Sequence, residues 1–194
     1  MSQLARAPSA RQEELLERAY RYALTRGIAE LSLRPMAAAI GSSPRVLLFL
    51  FGSKDGLIRA LLARARADEL ALLQRVRQDT GANGLAAAVR ATWTWLAAEA
   101  HRPLLTLWLD AYTRSLAEPD GPWAGFARQT VADWLDVLAA AQDPARRHSP
   151  AGAAERALAL AVLRGALLDL LATGDATRTT AAVTRYLSLL DRPS

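Results

Sequence analysis

The chain has 194 residues with a formal net charge of +5, two His and no Cys, which excludes a disulfide framework, thiol catalysis and Cys-ligated metal sites. The length allows one or two domains with a sizeable core. Ala (42) and Leu (34) far outnumber Val and Ile together (ten), a bias toward strong helix formers that predicts an all-α fold.

Ser9 followed by Gln12 reads as a capping box. Leu15, Leu16, Ala19, Tyr20, Ala23 and Leu24 then recur at helical spacing, and Gly27 stops the helix. Ser32 caps a short second helix with Pro35 in its first turn and Met36, Ala37 and Ile40 on its apolar side. Gly41 and Ser42 make a tight turn. Ser43 then Pro44 is an N-cap followed by Pro at the first helical position, and Gly52 ends this third helix. Ser53 caps a long fourth helix reaching about residue 78. Two short helices joined by a Gly-containing turn make a helix-turn-helix unit. Beyond a break at 80–84, helices are expected at 85–100, 103–117, 123–141, 153–172 and 177–190, about nine in all. Residues 118–122 and 142–152 are read as loops.

The charge is segregated. Residues 1–66 hold ten Arg, one Lys and five acids, a net of +6, whereas the remainder has 13 Arg and 14 acids, a net of −1. All five Trp fall in the remainder. The expected division is a small basic domain at 1–54 and a larger, near-neutral aromatic domain at 55–194.

The stretch 11–62 resembles the DNA-binding domain of the TetR (tetracycline-repressor) family of bacterial transcription regulators. The matching residues are the Arg-led first helix, Gly27, Ser32-x-Arg34-x-Met36-Ala37, Gly41-x-Ser43, Leu47, Phe51-Gly52-Ser53-Lys54 and Leu57, with no gap between them. The resemblance implies double-stranded DNA as a partner, a small-molecule effector and a homodimer. In a helix-turn-helix the first turn of the third helix meets base edges, which places Ser43, Pro44, Arg45 and Val46 there, with Phe49 one turn on. Arg45 suits a bidentate contact to guanine and Val46 a contact to a thymine methyl. Ser32 and Arg34 open the second helix toward phosphate, and Lys54 matches the family's phosphate-contacting Lys. The chain departs from the family at Val46, Leu48 and Phe49, where polar residues are common, so the recognition helix is unusually apolar.

Seven of the twelve aromatic residues lie between 93 and 134. Offsets of three, seven and eleven put Phe126, Thr130 and Trp134 on one face with Trp123, and Trp108 and Tyr112 are an i, i+4 pair. With Trp93 these are the expected effector-binding residues, suited to a small apolar or aromatic molecule. The last two helices are apolar over a wide arc: Leu158, Val162, Leu163, Leu167, Leu170, then Tyr186, Leu187 and Leu190. They are the expected dimer interface, a four-helix arrangement between two copies.

No catalytic pattern occurs. His101 reads as a capping or surface residue and His148 as solvated, so no enzyme activity, cofactor or metal is expected. No run approaches the ~18 apolar residues of a membrane span, and 1–14 lacks a secretory core segment. A cytoplasmic protein without a membrane partner is expected. The expected function is a ligand-released repressor on a palindromic operator. The alternative is an all-α small-molecule binding protein with a degenerate helix-turn-helix.

Overall fold

The computed structural model describes residues 9–28, 31–80 and 84–190. Among them are α1 (Ala10–Arg26), α2 (Leu33–Ala39), α3 (Pro44–Phe51), α4 (Lys54–Thr80), α5 (Gly84–Leu96), α6 (Arg102–Ala117), α7 (Phe126–Ala140), α8 (Pro144–Arg147), α9 (Pro150–Thr173) and α10 (Ala176–Leu190). A 3-10 turn, Glu99–His101, lies between α5 and α6. No strand occurs among the described residues, as the composition predicts. The break expected around residues 81–83 lies outside them. No described helix is long and apolar enough to cross a membrane.

The chain forms two compact units. One comprises the described part of 1–66 together with 107–127, the other the described part of 67–106 together with 128–194. The boundaries fall inside α4 and α6 and near the start of α7.

In the first unit, α1 packs on α2 and α2 on α3. Leu15, Ala19 and Ala23 of α1 are fully buried, as are Met36 and Ala37 of α2. Three of the four expected caps form: Ser9 Oγ accepts from Gln12 N (3.2 Å), Ser43 Oγ from Val46 N (3.3 Å) and Ser53 Oγ from Gly56 N (2.9 Å), whereas the Ser32 side chain makes no capping bond. The capping box at α1 is only half of one, because the Gln12 amide donates instead to Leu50 O at the end of α3 (3.1 Å). Arg18 donates to Ile40 O (3.3 Å), satisfying a carbonyl at the end of α2. Arg64 pairs with Glu17 and lies 4.8 Å over the Tyr20 ring.

In the second unit, α5, α9 and α10 pack on one another and α8 packs on α9. Three sequence expectations are corrected. The helix expected to 100 ends at Leu96; His101 stacks on Trp95 (centroids 3.9 Å apart) with Nδ1 2.8 Å from Trp95 O, so it does occupy the helix end. The helix expected from Trp123 begins at Phe126, because Gly125 adopts φ +76° and leaves 122–125 as turns rather than helix. The loop expected at 142–152 contains α8, and its Gln142 is buried: the amide donates to Gly152 O (3.2 Å) and accepts from Arg156 (2.6 Å).

Candidate DNA-binding face and effector-binding residues

The candidate DNA-binding face is built on α3. Ser43 and Pro44 start this helix, and Gly52, at φ +79°, stops it after eight residues. Leu47 is buried and anchors the helix, while the Gln12 bond to Leu50 O holds its far end. At about 100° per residue, Arg45 and Phe49 point away from Leu47, with Val46 and Leu48 on either side. All four are exposed: Phe49 by 85%, Leu48 by 40%, Val46 by 39%, and Arg45 with them. The outward face is therefore one guanidinium among three apolar side chains.

The cations of this unit divide into two sets. Glu14 takes Arg11 (2.7 Å) and Arg18 (2.5 Å), and Glu17 takes Arg64. The Arg11 hydrogen bond first, and the Arg18 charge next, hold the Glu14 carboxyl below its ordinary value. Arg34, Arg45 and Lys54 are exposed and join no ion pair among the described residues. Ser32 is the N-cap residue of α2, yet its side chain caps nothing and is exposed. The described residues thus neutralise Glu14 and Glu17 internally and leave Arg34, Arg45 and Lys54 without an ion pair, as they do Arg21 and Arg26 of α1 and Arg59 of α4.

The expected effector-binding residues are distributed over both units. Trp108, Tyr112, Trp123 and Phe126 belong to the first, Trp93, Thr130 and Trp134 to the second. Trp108 and Tyr112 meet at 5.0 Å on α6. Trp123, in the turn before α7, is buried with the Arg114 guanidinium 5.5 Å from its ring. Ser115 Oγ accepts from Ala127 N (3.1 Å), fixing the start of α7 against α6. In the second unit, Trp93 donates to Thr180 Oγ1 (3.1 Å), tying α5 to α10. Trp134 donates to Glu69 Oε1 (2.6 Å), tying α7 to α4. Thr130 and Glu69 are buried. Two of the expected ligand-facing indoles therefore spend their N–H groups inside the chain, whereas the Trp108 N–H is buried with no acceptor among the described residues. Glu69 was missed by the sequence reading, although it sits at a core position of α4, four residues from Ala65 and three from Leu72.

The expected dimer residues need correcting. Leu163, Leu167, Leu170, Tyr186 and Leu187 are buried within the chain's own core, because α9 must close on both α5 and α10. Val162 and Leu190 are half-buried. Leu158 remains exposed, and with it Ala154, Ala161, Gly165, Leu168 and Ala172 form an exposed stripe at alternating four- and three-residue spacing.

The chain matches no protein-family model and no curated protein. Solved structures do match over nearly its whole length. The multidrug binding protein EbrR in complex with imidazole aligns at 23% identity and TM-score 0.67, covering 96% of this chain and 98% of that one. The same protein in complex with proflavin aligns at 25% identity and TM-score 0.67, covering 93% and 99%. A member of the TetR family from Streptomyces coelicolor A3 aligns at 24% identity and TM-score 0.66, covering 95% and 100%. The chain has the TetR-family fold. In that fold α2 and α3 are the helix-turn-helix pair that Gly41-x-Ser43 predicts, and the similarity extends through α10, well beyond the stretch that carries the motif.

Proposed function

We propose that the protein is a dimeric, ligand-responsive transcriptional regulator working in the cytoplasm as a repressor. The observation that carries this reading is the outward face of α3, where Arg45 is exposed and joins no ion pair among the described residues, as is also true of Arg34 and Lys54. Arg45 supplies a base contact, and Ser32, Arg34 and Lys54 supply phosphate contacts. Residues 1–54 form the DNA-binding domain and 55–194 the effector-binding and dimerisation domain.

Two copies associate through α9 and α10. The supporting feature is the α9 stripe, in which Leu158 and Leu168 are 56% and 48% exposed. Gly165 lies at its centre, where an added Cβ would meet nothing within 4 Å. Glycine in a helix interior is destabilising, and packing among the described residues does not require it. Close approach of a partner helix would. A two-fold dimer presents two copies of α3 to half-sites about 34 Å, or a multiple, apart.

The effector is a small apolar or aromatic molecule held by Trp108, Tyr112, Trp123 and Phe126 of the first unit. The unsatisfied Trp108 N–H calls for an acceptor atom on it. EbrR, whose fold is shared, was solved with imidazole and with proflavin, both aromatic. Such an effector releases DNA only by binding the non-operator conformation more tightly.

The second reading is a small-molecule binding protein with a degenerate helix-turn-helix. Exposed Leu48 and Phe49 favour it, since neither donates to phosphate. Selection from random duplex DNA at low salt separates the two. A regulator enriches a palindrome and loses affinity steeply as salt rises. A degenerate domain enriches nothing.

A further inference from the structure

Phe49 is the most exposed large apolar side chain among the described residues, at 85%. It is not on a frayed end. It lies on the sixth of the eight residues of α3, a helix fixed by Ser43, Leu47 and Gln12. Val46 and Leu48 extend the apolar surface on either side. Isolated exposed apolar residues are ordinary, but three around a single cation on one rigid helix form a surface that needs an occupant.

Resting on the regulator reading above, we infer that this surface reads thymine methyl groups, with Phe49 as the specificity-determining residue beside Arg45. In the major groove the thymine C5-methyl is the one apolar group; guanine, adenine and cytosine offer donors and acceptors there. A phenyl ring against those polar edges would strip their water and return no hydrogen bond. Against a methyl group it buries apolar surface on both sides. The electrostatics select DNA over an apolar protein partner. Arg45 sits within the apolar patch, and Arg34, Arg45 and Lys54 join no ion pair among the described residues, whereas Glu14 is taken by Arg11 and Arg18 and Glu17 by Arg64 of α4. The register follows from helix geometry. Arg45 and Phe49 are four residues apart, about 6 Å along the axis, which is close to two base-pair steps of ~3.4 Å. The thymine read by Phe49 therefore lies within two base pairs of the guanine read by Arg45.

The test uses the full-length protein and the duplex it selects. Each thymine of a half-site is replaced in turn by deoxyuridine, which removes the methyl group and nothing else, and affinity is read by fluorescence anisotropy. One or two replacements per half-site should weaken binding about fourfold each, the factor expected for one buried methyl. They should fall within two base pairs of the position where Arg45→Ala relaxes base preference. In Phe49→Ala, whose exposed site should leave the thermal midpoint unchanged, the replacement at the thymine read by Phe49 should have no effect, while one at a thymine read by Val46 persists. Equal affinity for all deoxyuridine duplexes overturns the inference and leaves the regulator reading standing. So does a set of deoxyuridine effects in Phe49→Ala identical to that of the wild type. If Phe49→Ala binds DNA normally but changes the sedimentation coefficient, the patch is a protein contact and the inference fails. Failure to select any duplex overturns both.

Discussion

Glu69 and Trp134 make a buried, charge-assisted pair: the indole N–H donates to Oε1 at 2.6 Å. Removing the donor while keeping the ring costs the carboxylate a partner it cannot replace with water. Trp134→Phe should therefore lower unfolding free energy by about 1–3 kcal/mol, read as a shifted urea midpoint at constant slope. No shift would mean that the pair contributes nothing net. The sequence identifies Trp134 as important but assigns it to an effector. Its carboxylate partner stands 65 positions earlier, beyond any local spacing rule. The legible sign was Glu69 itself, a charge on the buried stripe of Leu62, Ala65, Leu72 and Leu73. Phe49 is the opposite case: its spacing places it outward, and only the fold shows that nothing among the described residues covers it.

Helix boundaries follow the local rules closely where caps and glycines act. Ser9, Gly27, Ser43, Pro44, Gly52 and Ser53 mark α1, α3 and α4 as expected. The rules fail where the decision is tertiary. Gln12 prefers α3 to its own helix end, and Gly125 delays α7 past Trp123. The α9–α10 junction holds a further such contact. Arg178 binds Asp169 through two hydrogen bonds of 2.6 Å each, and Asp175 through one of 3.3 Å. The Arg178 hydrogen bond first, then its charge, lowers the Asp169 carboxyl below its ordinary value of 3.8. A depressed carboxyl stabilises the fold above its unfolded pKa and ceases to do so as pH falls through the folded value. Wild type should thus melt slightly above Asp169→Asn at pH 7, and the two should converge as pH drops below the ordinary carboxyl range. A difference that grows on acidification would contradict this. The clasp is exposed, so the effect should also shrink with added salt.

At the scale of the molecule, the +6 head and near-neutral body were legible from composition, and so was the all-α class. The proposed interface for a second copy was legible only in part. Apolar residues on α9 and α10 are in excess, but spacing alone does not say which of them α5 consumes. The burial of Leu163, Leu167 and Leu170 against the exposure of Leu158 and Leu168 settles that division. The double substitution Leu158→Glu with Leu168→Glu should give a folded monomer by analytical ultracentrifugation. Its operator affinity should drop by roughly a hundredfold, as two linked contacts become single ones. A dimer that survives these charges would place the interface elsewhere. The central claim is that α3 reads a specific duplex. Selection from a random duplex pool at low salt tests it most directly. The account predicts enrichment of a palindrome whose half-sites lie about one helical turn or a multiple apart, with a guanine position that Arg45→Ala no longer discriminates. A pool that stays random after repeated rounds would contradict it.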